Sequence, residues 1–207
     1  MQNIKNIIFD FGGVIIDIDF SLTWDAFKSI GINNLQEKFA KGKQSLLFDM
    51  FERGKLSPEE FRAEVSRYFN VKISDELFDK CWNAMILDIP AERIELLKKL
   101  RNNYKLYLLS NSNKIHYDYY RGNLERKYGY KTFSELFDGV YFSFNTGLLK
   151  PDKECYLYVL EKEKLNNNET IFIDDSLPNI IGAEEAGIKS IHLQNKAITE
   201  INWNKYN

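Results

Sequence analysis

Four places in this 207-residue sequence carry side chains that could hold and move a phosphoryl group. Asp10 closes an apolar run, Ile4 to Phe9, and Gly12 and Gly13 follow it. Ser110 and Asn111 end a second run, Leu106 to Leu109. Lys150 stands just before Pro151, and the adjacent pair Asp174-Asp175 ends a third run, Ile171 to Ile173. Two neighbouring carboxylates at the end of a buried strand repel each other unless a metal ion or a Lys/Arg neutralises them. Magnesium favours such a setting, because it binds a few carboxylates together with water and phosphate oxygens. A phosphate dianion repels nucleophiles, so its charge must be neutralised and its oxygens held. A metal ion, a lysine and the N–H groups of a glycine loop can do both. An aspartate can then attack phosphorus and form an aspartyl-phosphate that water hydrolyses. A serine hydroxyl and Asn111 can donate to the phosphoryl oxygens.

Each residue alone has a plainer reading. Asp10 and the glycines could belong to an ordinary turn, Ser110 could cap a helix, and Lys150 could be a surface lysine. One of the paired aspartates could cap the helix that Pro178 opens. What joins them is the order of the elements. Strands are expected at 4–9, 106–109, 140–144, 171–173 and 190–193, on their runs of apolar residues. Helices are expected at 91–101, 113–127, 151–165 and 178–186, two opened by proline and the last ended by Gly187. Strands alternating with helices imply parallel pairing and right-handed crossovers, hence a three-layer α/β domain. In such a sheet the carboxyl ends of the strands share one edge, where ligands bind. Asp10, Ser110, Lys150 and Asp174-Asp175 would then converge on one crevice.

From about Phe20 to Asp88 the pattern is different. Aromatic and aliphatic residues recur at three- and four-residue spacing, as in Phe48 and Phe51, or Phe61, Val65 and Tyr68. Ser57-Pro58-Glu59-Glu60 is a helix start, with a serine cap, an early proline and acids at the positive dipole end. Ser74-Asp75-Glu76 is another. A block of helices therefore interrupts the α/β core after its first strand. The residues from about Lys196 read as a tail.

Composition narrows the class. Hydrophobic residues make up 44% and charged residues 28%, as in a globular chain. The net charge is −2 with no block of one sign, which gives no electrostatic case for nucleic acid or membrane surfaces. No apolar stretch approaches the length of a membrane span, and the short apolar run after Lys5 is not a signal peptide. Cys81 and Cys155 sit in no metal-type spacing and suit a reducing cytoplasm, with a single disulfide between them as the alternative. The choice between monomer and homodimer stays open.

Taken in order, Ile-Ile-Phe-Asp10-Phe-Gly-Gly-Val, Leu-Leu-Ser110-Asn111, Lys150-Pro151 and Phe-Ile-Asp174-Asp175-Ser resemble the four motifs of the haloacid dehalogenase (HAD) superfamily. The resemblance implies a Rossmann-like core from residues 1–19 and 89–207, with residues 20–88 as a helical cap over the site. It also implies a magnesium-dependent phosphatase for small phosphorylated metabolites. In that reading Asp10 is the nucleophile and a metal ligand, and the backbone carbonyl of Gly12 supplies another ligand. Ser110 and Lys150 hold and neutralise the phosphoryl group, with Gly12, Gly13 and Asn111 also in contact with substrate. Asp174 and Asp175 anchor the metal, and Asn179 supports them.

One position departs from the pattern. Phosphatases of this superfamily usually carry a second aspartate two residues after the nucleophile, as general acid and base. Here that residue is Gly12. Three readings follow: a substrate with a better leaving group, such as a sugar 1-phosphate or an acyl phosphate; a substitute acid, for which Asp17 and Asp19 are nearest; or a module that binds phosphate or a partner without turnover. The Phe-Gly-Gly-Val form and Phe51-Glu-Arg-Gly-Lys-Leu-Ser resemble a branch that includes glucose-1-phosphate phosphatases and the phosphatase domain of soluble epoxide hydrolases. A 2-haloacid dehalogenase shares the aspartate nucleophile but needs no metal, so the Asp174-Asp175 pair counts against it.

Other residues invite plainer assignments. His116 lies just past Ser110-Asn111 and could reach the cleft, though an exposed helix face is the plainer expectation, and His192 is expected to be structural. Trp24, Phe27 and Trp82 are expected in a helical core more than in a pocket, and Tyr117, Tyr119 and Tyr120 in packing. The mixed charges of 37–44 read as a solvated face. Hinges for cap movement are expected near 17–20 and 88–90.

Overall fold

The computed structural model describes residues 4–33, 35, 43–194 and 196–206. Five parallel strands form one sheet in the order β3-β2-β1-β4-β5: β1 Asn6–Phe9, β2 Lys105–Ser110, β3 Gly139–Phe142, β4 Thr170–Asp174 and β5 Lys189–His192. The central strands β1 and β4, and β2 beyond Lys105, are buried throughout, as expected of parallel strands covered by helices on both faces, whereas the edge strands β3 and β5 are partly exposed. Side chains alternate between two layers. Ile7, Phe9, Leu106, Leu108, Ile171 and Ile173 enter one, and Ile8, Tyr107, Leu109 and Phe172 enter the other.

Helices α5 (Ala91–Leu100) and α6 (Lys114–Tyr128) cover the first layer through Ile94, Leu97, Tyr120 and Leu124. Helices α8 (Lys153–Glu163) and α9 (Leu177–Glu185) cover the second through Tyr156, Val159, Ile180 and Ala183. The result is the three-layer α/β sandwich that the alternation of elements implies. The third strand is shorter than expected. Ser143 leaves the ladder to exchange hydrogen bonds with the backbone of Ser112, at 2.9 and 3.0 Å, and starts the single-turn α7 (Ser143–Thr146).

The segment after β1 holds α1 (Phe20–Ser29), α2 (Lys43–Glu52), α3 (Pro58–Phe69) and α4 (Asp75–Trp82). Ser57 and Glu60 close a capping box on α3, and Ser74 caps α4, as their sequence predicts. These helices share their own apolar cluster, with Phe27, Phe51, Phe61, Phe78 and Trp82 at its centre and Ile115 of α6 at its boundary. The chain enters and leaves this segment side by side. Asp17 N–H donates to Asp88 O, and Leu87 N–H donates to Asp17 O, both at 3.0 Å. The expected hinges are thus paired to each other. Most of the charged run 37–44 lies outside the described residues.

The chain beyond Lys196 is not a loose tail. Ile198 is fully buried in the first layer, and the Trp203 ring lies 6.3 Å from that of Phe9. Burial of large apolar side chains outweighs the polar composition of this stretch. No described helix is long and apolar enough to cross a membrane.

Candidate active site

The sheet order places β1 beside β4 in register, with Phe9 opposite Ile173. The next residues, Asp10 and Asp174, therefore emerge together where the chain order reverses, the place where open α/β sheets bind ligands. Asp10 N–H still donates to Ile173 O at 2.9 Å, which fixes the end of the strand. Ser110 ends β2 on the other side of Asp10 and is buried.

Lys150 joins the two acids. Its Nζ donates to Asp10 Oδ1 at 2.6 Å and to Asp174 Oδ2 at 2.7 Å. Asn111 holds the Lys150 backbone, donating to its carbonyl at 2.8 Å and accepting from its N–H at 2.9 Å. Asn111 thus positions the lysine, a role that its place beside Ser110 did not suggest. Asp174 has no exposed side-chain surface. Besides Lys150, it accepts from Ser176 N–H at 2.7 Å and from Asn179 Nδ2 at 3.1 and 3.0 Å. Asn179 is therefore the supporting residue that the motif suggested.

Asp175 is exposed, and its carboxylate lies against Gly13. Gly13 has φ +70°, where residues with a β-carbon are strained, and such a carbon would fall on Asp175 Oδ2. His192 Nε2–H donates to Asp175 O at 2.9 Å, so this histidine braces the acidic turn from β5. Carboxylate oxygens from Asp10, Asp174 and Asp175 can be chosen that lie within 4.8 Å of one another. Three carboxylates around one ammonium leave uncompensated negative charge, and an all-oxygen set of this kind suits magnesium. The residues present therefore fit that ion.

The electrostatics agree with the geometry. Burial pushes the Asp10 carboxyl up to about 7; Lys150 opposes this and Asp174 adds to it. Burial also raises Asp175, with Asp174 adding to it. Burial disfavours charge on Lys150, but Asp10 and Asp174 outweigh it and hold the ammonium above its ordinary value. A bound cation would favour the ionised carboxylates.

Above these groups opens a cleft of about 530 Å³ that reaches Asp10, Gly12, Gly13, Ser110, Asn111, Lys150 and Asp175. The far wall comes from the helical segment and includes Phe20, Trp24, Phe48 and Trp82. Phe27 is fully buried in the helical core, whereas Trp24 and Trp82 also face the cleft. Tyr120 is buried at the cleft floor and shares a 2.8 Å hydrogen bond with Ser112 Oγ. Tyr117 packs against it, and Tyr119 is exposed.

His116 is not on an exposed face. Its ring stacks on Trp82 at 5.3 Å and 8°, and it lines the cleft. Asn113 caps α6 by accepting from His116 N–H, and both residues line the cleft. Glu52 also lines the cleft, a position that the sequence reading did not single out. Its signal was the spacing Phe48, Phe51, Glu52, which puts the acid on the apolar face of α2.

Position 12 has no general acid. A β-carbon on Gly12 would meet Ile18 Cδ1 at 2.6 Å, so an apolar methyl occupies the space beside it. The nearby acids have other tasks. Asp17 pairs with Arg93 at 2.8 Å, and Asp19 caps α1 through Ser21 N–H at 3.0 Å. Neither lines the cleft.

Comparison with known proteins agrees with this arrangement. The family model of haloacid dehalogenase-like hydrolases matches residues 4–187. A D-ribitol-5-phosphate phosphatase of Bacteroides thetaiotaomicron is 30% identical, over 94% of each chain. A sesquiterpene phosphatase of Aspergillus oryzae is 28% identical, over 94% of this chain and 92% of the relative. Among solved structures, a HAD family enzyme of Bacteroides thetaiotaomicron, in complex with magnesium and inorganic phosphate, superposes with a TM-score of 0.83 at 33% identity, covering 98% of both chains. By motif order, fold and family match, this chain belongs to the haloacid dehalogenase-like hydrolases.

Proposed function

We propose that the protein is a magnesium-dependent phosphatase of small phosphorylated metabolites, with Asp10 as its nucleophile. The observation that carries this reading is the Lys150 ammonium set between Asp10 and Asp174 at the floor of the cleft. Relatives that are phosphatases, and a structural neighbour that holds magnesium and phosphate, support it.

Asp10, Asp174, Asp175 and the Gly12 carbonyl would hold the ion, which supplies charge neutralisation for the phosphoryl oxygens. Lys150, Ser110 and the backbone N–H groups after Asp10 orient those oxygens and offset the rest of their charge. An Asp10 carboxylate oxygen attacks phosphorus as the ester P–O bond breaks, giving an acyl phosphate and an alkoxide that takes up a proton. Water then attacks phosphorus, releases phosphate and restores the Asp10 carboxylate. With Gly12 in place of an acid, the leaving oxygen draws its proton from water or is stable as an anion. This favours substrates with good leaving groups.

Residues 1–19 and 89–207 would act as the catalytic core and 20–88 as a cap that supplies the cleft's far wall. Two free, buried thiols, Cys81 and Cys155, support a cytoplasmic setting. The Ile18 methyl beside Gly12 favours a second reading, a phosphate-binding protein with little turnover. Phosphate release from sugar phosphates, nucleotides and acyl phosphates, with and without magnesium, separates the two. Turnover that needs magnesium supports the enzyme. Phosphate binding with turnover no faster than background supports the binding protein.

A further inference from the structure

The cleft that reaches the phosphoryl site is walled on its helical side by aromatic rings, among them Phe20, Trp24, Phe48 and Trp82. Three polar side chains interrupt that wall: Glu52 of α2, and Asn113 and His116 at the start of α6. Each is held in a defined orientation or left with unused hydrogen-bonding capacity.

His116 Nδ1 lies 2.8 Å from Asn83 Oδ1. An amide oxygen only accepts, so Nδ1 carries the proton and donates it. The ring lies flat on Trp82, which fixes its plane. Burial pushes the imidazole down to about 3, so it is neutral. Nε2 is then a bare acceptor, and no hydrogen bond satisfies it among the described residues.

Asn113 Oδ1 accepts from His116 N–H at 3.0 Å and from Trp82 Nε1 at 3.4 Å. These bonds fix the amide and leave its Nδ2 as a free donor among the described residues. The Glu52 carboxylate makes no hydrogen bond to any described residue, and burial pushes it up to about 7. Thr23 also lines the cleft, but its hydroxyl is spent on Trp82 O at 3.1 Å and Met85 N–H at 3.0 Å.

We propose that Glu52, Asn113 and His116 form a leaving-group subsite that selects polyhydroxylated substrates, the phosphates of sugars and linear polyols. The proposal rests on the phosphatase reading and names its substrate class. Two acceptors and one donor match hydroxyl groups, each of which donates once and accepts. A hydrocarbon leaving group would cover the aromatic wall but strand all three polar groups without partners, which is unfavourable for desolvated donors and acceptors. An aminoalkyl group could donate to Glu52 and His116 but would give Asn113 nothing to donate to. Aromatic faces such as Trp24 and Phe48 can pack on the C–H faces of a sugar or polyol chain.

The test compares kcat/KM, with magnesium, for a polyol or sugar phosphate against phenyl phosphate, whose leaving group bears no further hydroxyl. Wild type is compared with Glu52→Gln, His116→Phe and His116→Gln. Phenylalanine keeps a flat ring for Trp82 and loses the acceptor, while glutamine keeps an acceptor. Glu52→Gln and His116→Phe should each shift the substrate ratio against the polyol phosphate by about 10- to 100-fold. His116→Gln should recover part of that loss. Equal losses on both substrates, or a wild-type preference for prenyl or aminoalkyl phosphates over polyol phosphates of similar leaving-group pKa, would overturn the subsite. If the wild type hydrolyses no phosphomonoester at all, the phosphatase reading fails and the subsite falls with it.

Discussion

Lys150 Nζ lies 2.6 Å from Asp10 Oδ1, although the two residues are 140 positions apart. The lysine has almost no exposed surface, so its charge is compensated by Asp10 and Asp174 rather than by water. Removing one member of a buried ionic group costs about 3–5 kcal/mol, because the remaining charges stay buried. Lys150→Met should therefore lower thermal stability and cut turnover by at least about 100-fold, on the scale of losing one transition-state donor. Magnesium should restore more stability to this variant than to the wild type, because the largely buried carboxylate cluster then lacks its internal cation. Melting curves with and without magnesium check both parts.

Gly13 and Gly12 should respond differently to a methyl group. At position 13 the backbone has φ +70° and the β-carbon would fall on the Asp175 carboxylate. Gly13→Ala should displace Asp175 and weaken magnesium binding by about 10-fold or more, the range seen when groups supporting metal ligands are altered. At position 12 the methyl would meet only the flexible end of Ile18. Gly12→Ala should change magnesium affinity much less. Isothermal titration with magnesium compares them directly.

The missing acid can be put back. Gly12→Asp alone should clash with Ile18 Cδ1, so it is combined with Ile18→Ala. A positioned general acid contributes about 10²- to 10⁴-fold. The double variant should gain on alkyl phosphates, which have poor leaving groups, and gain little on aryl or acyl phosphates. The dependence of kcat/KM on leaving-group pKa measures this; an unchanged slope would count against Gly12 as the reason for any leaving-group preference.

Glu52 couples pH to stability. Its ordinary value is 4.5, and burial pushes it to about 7 in the fold, with Asp49 adding to the shift and Arg53 opposing it. A carboxyl raised on folding stabilises fully below the unfolded value, and that contribution is lost as pH rises through the folded one. Between about pH 4.5 and pH 7 the wild type therefore loses stability that Glu52→Gln keeps. The variant's advantage in Tm should be larger at pH 8 than at pH 5, with about 2–4 °C for each kcal/mol in a chain of this size.

The helical segment is also fastened at its far side. Arg53 Nη1 donates to Gly147 O and Nη2 to Asp152 Oδ2, both at 3.0 Å. Arg53→Ala should loosen that attachment and raise KM, or speed proteolysis between residues 20 and 88, if cap opening gates the cleft. Limited proteolysis of wild type and variant reads the difference.

Much of this was legible from local rules. Apolar runs ending in Asp10, Ser110 and Asp174 marked the sheet edge, and parallel register then had to bring them together. Capping signals at Ser57 and Ser74 marked two helix starts to the residue. What local rules missed depends on tertiary packing. His116 looked like a surface residue until Trp82, 34 positions earlier, supplied a ring to stack on. The last residues looked like a tail until Ile198 and Trp203 found the apolar layer beneath Phe9. Glu52 could not be told from any acid at a helix end without knowing that α2 turns that face to the cleft.

The central claim is that Asp10 carries the phosphoryl group, and Asp10→Asn tests it most directly. The substitution keeps the shape but removes the anionic oxygen that attacks phosphorus. With folding verified by circular dichroism, magnesium-dependent phosphate release should fall by at least about 10³-fold, the scale expected when a covalent nucleophile is removed. Phosphate release by Asp10→Asn at the wild-type rate would contradict the account.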